Sequence, residues 1–138
     1  MSPARRAAWR IGHRGAFLMT YGVAWAVYGA GLLGSGATFA QQRGLTVLGD
    51  DLDTWAWLWI VGGMVAIVAA FARRDSIGYV GAVIPPLVWG VAYLLAWWPL
   101  DEYDRGWISA GPWTALAVAA VIVARIPEPI RREVADGT

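Results

Sequence analysis

The chain has 138 residues, 58% of them hydrophobic and only 15% charged, with a net charge of +1. Soluble domains average ~25% charged residues, and a water-soluble chain this poor in charge would expose apolar patches large enough to aggregate. The lack of cysteine excludes disulfides, thiolate metal sites and a cysteine nucleophile, and a single histidine, His13, excludes a multi-histidine metal centre.

Marking the charged residues divides the chain into four apolar runs. The first follows Arg5, Arg6, Arg10 and Arg14 and covers about 15–34. An Arg-rich start before an apolar run also describes a signal peptide, with Thr38-Phe39-Ala40 as its cleavage site. At about twenty residues the run exceeds the ~7–15 of a signal core, so a retained spanning helix is the stronger reading. The second run, 54–72, holds Leu58, Ile60, Val61, Val65, Ile67, Val68 and Phe71. At ~0.3–0.6 kcal/mol each, these seven favour insertion by roughly 2–4 kcal/mol. Asp53-Thr54 is expected to cap its start, and Arg73 and Arg74 to close it. The third run, 76–98, opens on Asp75-Ser76 and carries Pro85-Pro86 near its middle. These prolines withdraw two amide donors and free carbonyls one turn earlier, near Gly81 and Ala82, so a kink is expected there. The fourth run, 107–125, places Pro112 in its expected first turn and ends at Arg125, before Pro127 and Pro129.

Each run approaches the ~20 apolar residues a helix needs to cross ~30 Å of hydrocarbon. None alternates with period two, so a barrel is excluded. Helices apolar all round need burial on every side, and in lipid a helix satisfies its own backbone. The predicted fold class is all-α: a polytopic membrane protein with four transmembrane helices in a compact bundle, a single domain. Nine arginines flank the runs on one side, and only Arg43 and Arg105 lie on the other. The positive-inside rule then makes both termini cytoplasmic, in a multi-pass protein of the cell membrane. Trp55, Trp57, Trp97, Trp98 and Trp107 gather at the expected outer interface. Trp59 and Trp113 are expected a turn deeper, and Trp9 and Tyr79 mark the inner interface.

Small residues form three stripes. Gly15, Gly22, Gly29 and Gly36 recur every seven residues, with Ala26 among them. Gly62, Ala66 and Ala70 form the second stripe, and Gly111, Ala115 and Ala119 the third. Small residues let helix backbones approach, which drives association in lipid. Packing within the bundle is the first expectation, and an outward stripe that makes an oligomer the second. Tyr28 and Tyr93 are candidates for a polar lining beside the kink at Pro85 and Pro86.

No acid or base falls inside the apolar runs. Ion-coupled transporters usually keep one at depth. The small four-helix multidrug exporters are similar in size, but they need a membrane-embedded Glu in their first helix, and no Glu occurs before Glu102. Two acidic clusters, Asp50-Asp51-x-Asp53 and Asp101-Glu102-x-Asp104, share one side; they read as ordinary loop acids before they read as oxygen ligands for a cation. No nucleophile–base pair is present, so no enzyme, cofactor or metal is expected. The expected partners are the lipid bilayer and either a second copy of the chain or another membrane protein, not nucleic acid.

The stretches Arg14-Gly-Ala-Phe-Leu-Met-Thr-Tyr-Gly-Val-Ala-Trp-Ala-Val-Tyr-Gly29, Trp57-Leu-Trp-Ile-Val-Gly-Gly63 and Pro85-Pro-Leu-Val-Trp89 resemble short four-helix membrane proteins of actinobacteria and their phages. An all-Arg, Ala- and Gly-rich composition agrees with a GC-rich genome. The resemblance implies a membrane-spanning fold and transfers no functional residue. Small size, the small-residue stripes and the charge-free runs make a non-enzymatic, self-associating protein of the holin type the first expected function. The alternatives are an accessory subunit of a larger membrane complex and a small transporter or channel.

Overall fold

A computed structural model of the chain describes residues 12–49, 51–72 and 75–127. It is all-helical: α1 His13–Ser35, α2 Phe39–Gly44, a 3-10 turn Thr46–Leu48, α3 Leu52–Ala69, α4 Ser76–Trp97 and α5 Gly106–Arg125. The four long helices are apolar and long enough to cross a membrane. Their 18 to 23 residues span about 27 to 35 Å at 1.5 Å per residue.

The helices form a chain of neighbours rather than a closed ring. α1 packs mainly on α3, α3 joins α4, and α4 packs on α5, while α1 and α5 touch little. Gly62-Gly63 explains why α3 sits between two partners. Successive helical residues point ~100° apart. A Cβ on Gly63 would lie 2.5 Å from the Gly22 carbonyl oxygen on α1, and one on Gly62 would lie 2.7 Å from the Gly81 oxygen on α4. Gly29 meets the Ala56 carbonyl in the same way at 2.6 Å. Gly15, Gly22, Gly29, Gly62, Ala66 and Ala70 are all buried, so the first two stripes pack inside the bundle. Ala26 is half-buried beside Gly63.

Several local expectations need correction. Gly36 leaves the helical stripe. It is exposed, with φ 73° and ψ 175°, and ends α1 by donating its N–H to the Leu32 carbonyl. Glycine is required there because that backbone region excludes a Cβ. Gly111 and Ala115 are exposed, and a Cβ on Gly111 would meet nothing within 4 Å. α5 instead turns Gly106, Ala110, Ala117 and Ala120 inward. Its seventh residue is Pro112, not one in the first turn. Asp51, not Asp53, caps α3, its carboxylate accepting from the Thr54 N–H. Asp75 occupies the α4 N-cap but makes no capping bond. Its carboxylate goes to Arg14, which donates Nη2 to Oδ1 at 3.0 Å and sets Nε 2.9 Å from Oδ2. The Arg14 guanidinium also lies 5.1 Å from the centre of the Tyr79 ring. Tyr79 is buried in a core cluster with Leu18, Ala69 and Ala82, so it is not a lipid-facing marker. Trp9, Asp50, Arg73 and Arg74 lie outside the described residues.

Candidate functional site

Two core clusters fill the bundle. One gathers around Leu18 and Tyr79 near the end where α1 and α4 begin. The other is aromatic and lies toward the end that carries α2. Its hub is Trp59, fully buried on α3. The Trp59 ring centre lies 4.6 Å from Tyr28, 5.0 Å from Trp25, and 5.2 Å from both Trp89 and Trp113. Trp25 and Trp89 meet it edge to face, at 79° and 88°, the arrangement that sets a positive ring edge on a negative ring face. These rings occupy the space that α1 and α5 leave between them.

A buried indole nitrogen needs a hydrogen-bond partner. Trp25 has one. Its Nε1 donates to the Ala82 carbonyl at 3.0 Å, in a buried bond. Ala82 is four residues before Pro86, so its carbonyl lacks the amide that would bond it in an unbroken helix. The proline frees an acceptor and Trp25 takes it. The carbonyl freed by Pro85, on Gly81, faces Gly62. Both prolines are fully buried and α4 continues through them. The freed carbonyls are thereby absorbed into helix contacts. Trp59 and Trp89 differ, because their indole nitrogens are buried without a hydrogen-bond partner.

The segment after α1 closes this end of the bundle. Thr38 and Gln41 form a capping box at the start of α2, with the Thr38 hydroxyl accepting from the Gln41 N–H and Gln41 Oε1 accepting from the Thr38 N–H. Gln41 Nε2 donates to the Tyr28 hydroxyl at 2.8 Å. Gly44 lies so close to Tyr93 that a Cβ would overlap the ring. Leu45 is 1% exposed and belongs to the aromatic cluster. Trp55 Nε1 donates to the Leu48 carbonyl at 2.8 Å, and the Thr46 hydroxyl contacts the Glu102 carboxylate.

The two tyrosines singled out in the sequence are thus brought to one cluster, but as packed groups rather than an open lining. Tyr93 is buried under Gly44, and the Tyr28 hydroxyl is taken by Gln41. One acid of each acidic cluster has a partner: Asp51 in the cap, and Glu102 on Thr46. Among the described residues, no three His, Asp or Glu side chains gather as a metal-ligand set. Sequence reasoning missed Trp25, Trp89, Gly44 and Leu45. Thr38-x-x-Gln41 carried the capping-box signature for α2. Nothing in composition separates a core Trp from an interfacial one. In contrast, Trp57, Trp97, Trp98 and Trp107 are exposed, as an aromatic belt requires.

Elsewhere on the surface, Met64, Val65, Val68, Ala69, Ala72 and Ile77 line an apolar groove of about 350 Å³. Among the described residues every buried side chain is apolar or aromatic. In comparisons with protein-family models, curated proteins and solved structures, nothing matches this chain.

Proposed function

We propose that the chain is a non-enzymatic, multi-pass protein of the cell membrane, with both termini cytoplasmic, that works by association within the bilayer. The observation that carries this reading is the outward face of α5. Gly111 and Ala115 point away from the bundle, and Ala119 is half-buried. α5 is also the least covered of the four long helices. A second helix can approach a backbone closely where small residues lie open, and dispersion and packing drive such contacts in lipid. The geometry favours association over transport because the centre is filled by rings in contact, with no charge among its buried groups.

A self-associating protein of the holin type is the reading we favour. Docking on a larger membrane partner through the same face is the alternative. The test is energy transfer between labelled copies in liposomes across a range of protein-to-lipid ratios. Gly111→Leu with Ala115→Leu is expected to weaken association at least tenfold, while Gly31→Leu, on an exposed part of α1, leaves it unchanged. A wild-type chain that stays monomeric at every ratio refutes self-association. High expression that leaves the membrane potential intact refutes the holin type. One stoichiometric partner retained in mild detergent favours the accessory subunit.

A further inference from the structure

We propose that residues 37–48 form a hinged plug that opens away from the aromatic cluster and admits water to it. Four observations carry this. First, both ends of the segment are glycines at positive φ with open surroundings: Gly36 at 73° and Gly49 at 85°, each with nothing within 4 Å of an added Cβ. Hinges are positions that absorb a large backbone change, and these two absorb it without repacking a neighbour. Second, the segment between them is a unit with its own internal bonds. Its capping box and the backbone bonds from Gln42 to Thr38 and from Leu45 to Gln41 survive a rigid swing. Third, its attachments to the bundle are individual contacts: Leu45 and Leu48 on the cluster, Gly44 on Tyr93, Gln41 on Tyr28, Thr46 on Glu102, and the Leu48 carbonyl on Trp55. Fourth, what it helps cover is unfinished. The buried Trp89 N–H, in the aromatic cluster that Leu45 joins, has no hydrogen-bond partner. Moving the plug away lets water satisfy that N–H, which offsets part of the cost of unseating Leu45. Elements that open below the global unfolding free energy are of this kind: small, locally bonded and lightly docked.

The chain has no cysteine, so single thiols can be placed without background. Leu45→Cys puts one on the buried side of the plug and Val47→Cys one on its exposed side. Each full-length variant, in lipid nanodiscs, is treated with a charged maleimide that does not enter lipid. A minor open state populated at ~0.1–10% makes Leu45→Cys react about 10- to 1000-fold more slowly than Val47→Cys. Adding Tyr28→Phe is expected to speed Leu45→Cys labelling roughly 2- to 10-fold, the factor for one hydrogen bond, and Gln41→Ala, which also removes the acceptor of the Thr38 N–H, at least as much, neither changing Val47→Cys. Reaction as fast as Val47→Cys means the plug is not seated, and overturns the proposal. So does reaction below a thousandth of the Val47→Cys rate, or a rate that neither second substitution changes. Leu45→Cys removes part of the seat itself, so hydrogen exchange of the wild-type chain gives a second reading. The plug amides of Gln42 and Leu45 should then exchange at one common rate, well above that of the α3 core. Exchange as slow as α3 also overturns the proposal.

Discussion

The bond between Trp25 and the Ala82 carbonyl exists because Pro86 leaves that carbonyl without an amide, and this can be tested as an energetic coupling. Trp25→Phe keeps an aromatic ring but removes the donor. The cost has two parts: lost packing of about 1 kcal/mol for the smaller ring, and the orphaned carbonyl. In soluble proteins an orphan costs ~1–3 kcal/mol. Intramembrane hydrogen bonds measured by cycles average ~0.6 and reach ~1.7 kcal/mol, because the unfolded chain in lipid also finds partners. The second range applies here, so Trp25→Phe should cost about 1.6 to 2.7 kcal/mol in all. Pro86→Ala restores an amide four residues after Ala82, and that N–H reoccupies the carbonyl. In the Pro86→Ala background, Trp25→Phe should then cost only the packing part. The loss of the buried Pro86 ring appears in both arms and cancels. The assay is reversible unfolding in mixed micelles titrated with a denaturing detergent, followed by far-UV circular dichroism, since tryptophan emission is itself altered. A coupling near 1 kcal/mol is expected. Additivity to within the ~0.3 kcal/mol scatter of independent sites would refute the claim that the indole replaces the missing amide.

Three further predictions use the same preparation. Gly22→Ala and Gly63→Ala each place a Cβ within 2.6 Å of a backbone oxygen on the facing helix, so each should destabilise by about 1–3 kcal/mol, whereas Gly31→Ala, with open space at its Cβ, should stabilise by ~0.5–1 kcal/mol through helix propensity; equal effects at the three positions would contradict the α1–α3 contact. The Thr54 side chain and then its N–H hold the Asp51 carboxylate below its ordinary value of 3.8, so the cap persists above that value and is lost as pH falls through the lowered one; the protection of the Thr54 amide, taken relative to the intrinsic exchange rate at each pH, should fall as pH drops below 3.8, and Asp51→Asn should remove that pH dependence. Asp75→Asn breaks a partly exposed pair, with side-chain exposures of 25% for Asp75 and 23% for Arg14, so it should cost under ~1 kcal/mol and less in high salt; a loss of several kcal/mol would mean that this carboxylate supports more than the α1–α4 start.

The four long helices were legible because their signal is collective. Charged residues cannot sit at depth cheaply, so the gaps between them locate the spans to within three residues of the observed ends. The direction of the third stripe stayed open in the sequence for a physical reason. In water, the buried face of a helix differs from its exposed face in polarity, and periodicity reveals it. In lipid both faces are apolar, so polarity says nothing about direction. Only size discriminates, and α5 is rich in small residues on more than one face: Ala110, Ala117 and Ala120 turn inward while Gly111 and Ala115 turn out. The second stripe had a neighbour in Gly63 that settled the geometry, but one sequence does not show which glycine answers which.

The same ambiguity hid the site. Tryptophan serves two purposes in such a chain, anchoring at the headgroups and filling the centre, and ten of them appear with one side-chain chemistry. Trp57 and Trp59 are two residues apart on α3, yet one is 56% exposed and the other 0%. Successive helical residues point ~100° apart, so two steps carry the ring from lipid to the core. Position along the helix axis, which charge patterning supplies, leaves that rotation undetermined. What determines it is the match between groups each lacking something: a proline-freed carbonyl and an indole, a tyrosine hydroxyl and a glutamine, a ring and a glycine with no Cβ. Such matches join α1 to α4 and the segment between the glycine hinges to both. They are long-range facts, and each becomes readable only when both partners are in place.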